Sequence, residues 1–387
     1  MVRRPIWEQK LRSAFLRRSV VWLMGVRRVG KTVLARSLPG FEYLDCELPR
    51  VRRVLDDPEG FLRSLGRRGA VVLDEVHRLQ DPAAVLKIAA DHFPQVRVLA
   101  TGSSTLGASA RFRDTLAGRK AEVWLTPMCF ADLAAFGSAD LGHRLLHGGL
   151  PEFFLARRVP EVDIQEWMDA FWAKDVLELF RLERRASFQR FAELVFAESG
   201  AIFEATRFAR PCEVSRQTIT NYLSVLEATF VAHVVRPFSG GTTAEIISAP
   251  RVYAFDTGFV CQHRGWHDLR REDLGALWEH LVLNELHALL GSRASIRYWR
   301  AKAGPEVDFV LDRPGRPVAI ECKWSAGSFD PGGMRAFRRR HPGPLNLVVA
   351  ADVDRPFDRR YGTLRVRFLG VGDLAGPLTR RTARQQL

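Results

Sequence analysis

Eight residues constrain this chain's fold more than any others: Gly25, Val26, Arg27, Arg28, Val29, Gly30, Lys31 and Thr32. Their spacing is G-x-x-x-x-G-K-[ST], in which two glycines let the backbone curl until its N–H groups face one anion. Residues 20–24, Val-Val-Trp-Leu-Met, form an apolar run that predicts a buried strand entering the loop. Residues 33–38 predict a helix leaving it, stopped by Pro39-Gly40. In that setting residues Gly25 through Val33 wrap a phosphate chain. Lys31 reaches the β- and γ-phosphates, and the Thr32 hydroxyl holds a magnesium ion. The expected ligands are therefore ATP and Mg²⁺.

Further short apolar runs alternate with helical stretches, at 41–45, 70–73, 96–100 and 122–125, with a helix over 82–92. Alternation of this kind predicts an α/β fold, a parallel sheet with helices on both faces. The run at 70–73 ends in Asp74-Glu75. There Asp74 would complete the Mg²⁺ shell opposite Thr32, and Glu75 would orient or deprotonate an attacking water. The next run ends in Thr101-Gly102-Ser103-Ser104, so Thr101 and Ser103 are candidates to touch the γ-phosphate or that water. Arg119 is the candidate arginine finger for a neighbouring subunit's nucleotide, which implies a homo-oligomer; Arg111 and Arg113 are alternatives.

The stretch from Gly25 to Arg119 resembles the AAA+ ATPases of the archaeal and bacterial branch near the STAND NTPases. The resemblance is carried by the phosphate loop, Asp74-Glu75, Thr101–Ser104 and Leu116-Ala117-Gly118-Arg119, then by residues 125–130 with Asp132-Leu133. In that family the position of Asp132 is usually Glu. Asp74-Glu75-Val76-His77 also matches a DEAH helicase motif, but the second RecA-like domain that such helicases need has no counterpart in the sequence. Gly148-Gly149-Leu150-Pro151 is similar to a segment of the same family, and the periodic stretch 162–180 to its helical lid. Residues 188–238 resemble a winged helix-turn-helix. Ser215 caps its second helix, Arg216, Gln217 and Asn221 face outward to DNA, and residues 231–237 form the wing strand.

Two strands are expected over residues 306–310 and 318–323, joined by a turn. Asp308 lies on the first, while Glu321 and Lys323, two apart, project from one face of the second. This set resembles the PD-(D/E)xK restriction-endonuclease-like fold. There two carboxylates hold Mg²⁺ and a lysine positions the water, with Glu279, on an amphipathic helix over 277–286, as a further acid. The implied organisation is an ATPase core (1–135), a helical lid (136–187), a winged helix (188–250), a nuclease-like domain (251–375) and a basic tail.

A net charge of +14, with arginines in clusters, favours an anionic partner, nucleic acid first and DNA above all. None of the five cysteines lies in a CxxC pair, so neither a zinc site nor a disulfide framework is expected. No apolar run approaches the length of a membrane span, and the expected location is the cytoplasm. Two roles remain open. One is ATP-driven action on nucleic acid with Mg²⁺-dependent cleavage, and the other a nucleotide-dependent switch or scaffold with an inactive nuclease-like domain.

Overall fold

The computed structural model describes residues 2–102, 114–157, 161–177, 184–238, 249–291, 296–301, 304–313 and 315–379. The chain divides into two compact units of three segments each. The first takes residues 1–140, 149–192 and 209–232; the second takes 141–148, 193–208 and 233–387. The boundaries expected at 135, 187 and 250 are not the boundaries of these units.

The first unit begins with α1 (Pro5–Phe15), β1 (Val20–Met24), α2 (Lys31–Arg36), β2 (Glu42–Asp45) and β3 (Ala70–Asp74). It continues with α3 (Pro82–His92), β4 (Arg97–Thr101) and β5 (Lys120–Trp124). The strands form one sheet in the order β2-β3-β4-β1-β5, and each recorded pairing is parallel. β1 and β3 are apolar and almost wholly buried, as strands covered on both faces must be. Val20, Trp22, Val71, Leu73 and Val98 join one apolar cluster with Leu86 of α3, Val51 and Leu62. α1 lies against β1 and β5 and buries Trp7, Leu11 and Ala14. Because the strands run the same way, the C-terminal ends of β1, β3 and β4 lie at one edge of the sheet. Arg119 precedes β5 and sits at the opposite edge.

The rest of this unit is helical. α4 (Glu161–Phe171) runs on into a π-helical turn, Trp172–Val176. α5 (Arg216–Ala228) buries Ile219, Tyr222, Leu223 and Leu226 and leaves Arg216, Gln217 and Asn221 exposed, the face expected. Ser215 caps it, its Oγ accepting from the Thr218 N–H at 3.1 Å.

The second unit is built on an eight-stranded sheet. In chain order it holds β6 (Ala232–Pro237), β7 (Arg251–Ala254), α6 (Arg271–Leu290), β8 (Ile296–Arg300), β9 (Glu306–Leu311) and β10 (Val318–Lys323). After these come α7 (Gly332–Arg340), β11 (Asn346–Ala350), β12 (Phe357–Tyr361) and β13 (Leu364–Leu369). The strand order is β12-β13-β11-β10-β9-β8-β6-β7.

Two expectations are corrected here. The strand expected as a wing is β6, parallel to β8 inside the large sheet, with its first four positions buried. A wing would instead pair antiparallel within its own small module. The helix over 277–286 is not amphipathic. In α6 the stretch 280–288 is buried throughout, including His280, Asn284, Glu285 and His287. A helix buried on all sides shows no polar stripe. The expected β9–β10 hairpin is present, with Ala319 opposite Val310. Among the described residues no helix is long and apolar enough to cross a membrane.

Candidate functional site

The loop after β1 is held open from behind. Gly25 has φ 152°, and a Cβ there would lie 2.3 Å from the Leu125 carbonyl oxygen, so only glycine fits. The Lys31 ammonium donates to the Gly25 carbonyl at 2.9 Å and to the Val26 carbonyl at 3.0 Å. Trp167 of α4 donates from Nε1 to the Arg27 carbonyl at 3.2 Å, and Arg4 donates from Nη1 to the Val29 carbonyl at 3.1 Å. Val26 and Val29 point into the core. With these carbonyls engaged by side chains, the backbone N–H groups are the loop's remaining polar face.

Arg4 is itself fixed. Its Nε and Nη2 donate to the Asp132 carboxylate at 3.1 and 2.5 Å, and Trp7 Nε1 donates to the same carboxylate at 3.2 Å. Both charges are almost fully buried. Burial would raise the Asp132 pKa, but the hydrogen bonds and charge of Arg4, with the hydrogen bonds of Cys129 and Trp7, together outweigh it and hold the carboxyl below its usual range.

A cavity of about 500 Å³ opens in front of the loop. Its polar lining includes Arg27, Arg28, Lys31, Thr32, Glu75 and Lys174, and its apolar wall includes Val33, Phe136, Pro151 and Leu155. Arg27 pairs with Asp175 of the π-turn at 3.4 Å. Burial pushes the Lys31 pKa down from the ordinary lysine range. Burial would raise the Glu75 pKa, but the hydrogen bond from His77 and the charge of Lys31 bring it below the usual value. Glu75 also takes a positive φ of 55°, a left-handed conformation that turns the chain sharply after β3.

Asp74 does not line this cavity. It is buried, and its carboxylate accepts hydrogen bonds from the hydroxyls of Thr101 and Tyr43. Thr101, expected to face the phosphate, is fully buried instead, donating to Asp74 and accepting from the Glu75 N–H at 3.2 Å. Thr101 thus braces the acidic pair. Ser103, Arg111 and Arg113 lie outside the described residues. Arg119 pairs with Asp91 at 2.8 Å, at the sheet edge away from the loop, and so does not serve the loop of its own chain.

In the second unit Asp308, Glu321 and Lys323 meet as expected. Lys323 donates to Glu321 at 2.9 Å and lies 3.7 Å from Asp308, which accepts the Cys322 N–H at 2.8 Å. Burial, then the charge of Asp308, raises the Glu321 pKa, and the same two causes push Glu279 up to about 7. Glu279 is engaged elsewhere, pairing with Arg251 at 3.3 Å and accepting from the Tyr253 hydroxyl at 2.5 Å. Among the described residues no three His, Cys, Asp or Glu side chains are arranged to hold a metal ion. The expected set Glu279, Asp308 and Glu321 is therefore not assembled as a metal cluster. The protein's own cations, Lys323 and Arg251, neutralise these carboxylates.

The parallel sheet with its loop after β1 defines a P-loop protein of AAA type, and a family model described as an AAA domain matches residues 17–134. Such a domain implies nucleotide binding at this loop. Two models of domains of unknown function, DUF8612 and DUF4143, match residues 138–270 and 274–367. The uncharacterised proteins Rv2008c of Mycobacterium tuberculosis and Mb2031c of Mycobacterium bovis are each 31% identical over 327 residues, spanning 81% of this chain and 72% of their own. The chain belongs to the family of these mycobacterial proteins. Among solved structures, a RuvB point variant from Thermotoga maritima covers 69% of this chain and 96% of its own, at 16% identity and a TM-score of 0.31. A DNA polymerase III gamma subunit-related protein from the same organism covers 58% of this chain and 97% of its own, at 13% identity and a TM-score of 0.26. Likeness at that level does not bear on function.

Sequence reasoning missed Arg4, Trp167 and Asp175. The separation of 128 residues between Arg4 and Asp132 explains the first. No local pattern marks such a pair.

Proposed function

We propose that the protein is a Mg²⁺-dependent ATPase of AAA type that acts on nucleic acid. The observation that carries the reading is the meeting of Lys31, Thr32 and Glu75 at one cavity, around a loop whose carbonyls are engaged from behind. The donor chemistry fits Mg²⁺-ATP. Thr32 would hold the ion directly, and Asp74 would do so through water. A bound Mg²⁺ supplies charge neutralisation on the phosphates. Lys31 exchanges its two carbonyl partners for phosphate oxygens. The apolar wall at Val33, Pro151 and Leu155 receives the base. Glu75, ionised at neutral pH, accepts a hydrogen bond from the attacking water and orients it, while Thr101 keeps Glu75 in register. Arg119 is the finger offered to a neighbouring copy. Nucleic acid is engaged by the exposed face of α5, at Arg216, Gln217 and Asn221, and by the second unit.

Two variants test the reading. Lys31→Ala should lose nucleotide binding and turnover together. Glu75→Gln should bind ATP normally yet turn it over about 10²-fold more slowly or worse. Turnover that survives in Lys31→Ala refutes the ATPase.

A second reading is favoured by one observation, the pairing of Lys323 with both Glu321 and Asp308. On that reading the carboxylates are idle, and the second unit only binds. Incubation with DNA and Mg²⁺ separates the two. Cleavage that disappears in Asp308→Ala establishes a nuclease, and salt-sensitive binding without cleavage establishes the idle site.

A further inference from the structure

Away from the carboxylates and Lys323, the second unit carries a cleft of about 600 Å³ that no part of the proposed chemistry uses. Arg335 and Arg339 of α7 line one side, and Thr363 and Arg365 at the β12–β13 turn line the other. Its floor is rigid. Arg338, half-buried, donates to Asn346 Oδ1 at 2.6 Å, to the Pro317 carbonyl at 2.9 Å and to the Leu345 carbonyl at 2.6 Å. A Cβ on Gly343 would sit 2.4 Å from Arg338 Nη1, so the turn below is closed tightly. Burial pushes the Arg338 pKa down to about 10, still charged at neutral pH.

The charges at the rim are not balanced. In the antiparallel β12–β13 register Arg360 lies directly opposite Arg365, a like-charge pair on one face that costs stability. Asp358 pairs with Arg365 at 2.8 Å. Among the described residues Arg335, Arg339, Arg360 and Arg367 pair with no carboxylate, and all four are exposed. Surface arginines are commonly paired or scattered. Here Arg335 and Arg339 line one cleft with Arg338 and Arg365, and Arg360 stands across the strand pair from Arg365, in a chain of net charge +14.

We infer that this cleft, between α7 and the β12–β13 turn, is a seat for the phosphodiester backbone of nucleic acid. A guanidinium matches phosphate oxygens in geometry as well as charge, and several exposed arginines suit a repeating phosphate better than a single anion. Recognition here is of the backbone and carries no base sequence. The inference rests on the nucleic-acid reading above and assigns the second unit's share of the contact to α7 and β12–β13.

The test measures binding of the full chain to a labelled DNA duplex, and to single-stranded RNA, by fluorescence anisotropy across a salt series. A cleft variant carrying Arg335→Glu, Arg339→Glu and Arg360→Glu should bind at least about 30-fold more weakly than wild type. Its log–log salt slope should be shallower by roughly three, one for each phosphate that no longer meets a guanidinium. Arg53→Glu, an exposed arginine of the first unit, should leave binding unchanged. Thermal midpoint and basal ATP turnover monitor folding, and the milder Arg→Gln version of the same three changes should still weaken binding if charge reversal disturbs the fold. Unchanged binding in the cleft variant with loss in Arg216→Glu overturns the cleft and leaves the nucleic-acid reading standing. No binding of either nucleic acid by wild type at low salt overturns both. Displacement of DNA by poly-aspartate at equal charge concentration overturns a phosphate seat in favour of an acidic polypeptide.

Discussion

Gly25 is where a single atom decides the site. The Leu125 carbonyl passes so close that any Cβ meets backbone, not a side chain that can swing away. Gly25→Ala should therefore weaken ATP binding more than tenfold and lower stability by about 1–3 kcal/mol, as overpacking does. Isothermal titration and urea unfolding on the same sample read both numbers. Most of the loop is legible at this scale because its chemistry is local, held within one run of eight residues. Thr101 is legible as a polar strand end but not in its role. Which way its hydroxyl turns depends on Asp74, 27 residues away on the neighbouring strand.

At the scale of elements, α1 and the π-turn after α4 are as much part of the nucleotide site as β1 and α2. The N-terminal arm reaches the loop through Arg4, whose charge is balanced by Asp132. Asp132→Asn removes that balance and leaves a buried guanidinium without its counter-charge. A loss of about 3–5 kcal/mol is expected, together with weaker ATP binding as the Val29 carbonyl loses its donor. Unfolding midpoints and nucleotide affinity compared with Glu59→Gln, an exposed partner of Arg63, check that the effect is specific. The order of strands and helices in the first unit follows from the alternating pattern. The place of β6 does not. A short apolar strand fits a wing or a sheet equally well, and only its long-range pairing with β8 decides.

For the whole molecule, acid is the informative perturbation. His280 is buried on α6, where Nδ1 bonds the Ala276 carbonyl and Nε2 the Ser199 hydroxyl at 2.5 Å. Burial pushes its pKa down to about 4. As pH falls from about 6.5 to 4, the unfolded chain takes up a proton that the folded chain refuses. Stability is then lost across that window, by roughly 2–3 kcal/mol from this residue alone, and levels off below it. Unfolding curves from pH 7.5 to 4 should show the decline, and His280→Asn should flatten it while starting from a lower value. No sign of this is readable in the sequence, because nothing in a lone histidine on an apolar stretch tells how completely the fold will cover it.

The division into two units of three segments each bears on how the protein is made. Synthesis runs from the N-terminus, and β1 to β5 are all available once residue 124 has left the ribosome. The last piece of the first unit, residues 209–232, emerges only after two pieces of the second. Neither unit can be completed in a single uninterrupted stretch of translation. The phosphate-binding sheet must wait, part-covered, for its helical remainder, and the eight-stranded sheet has β6 and β7 in hand well before β8 exists.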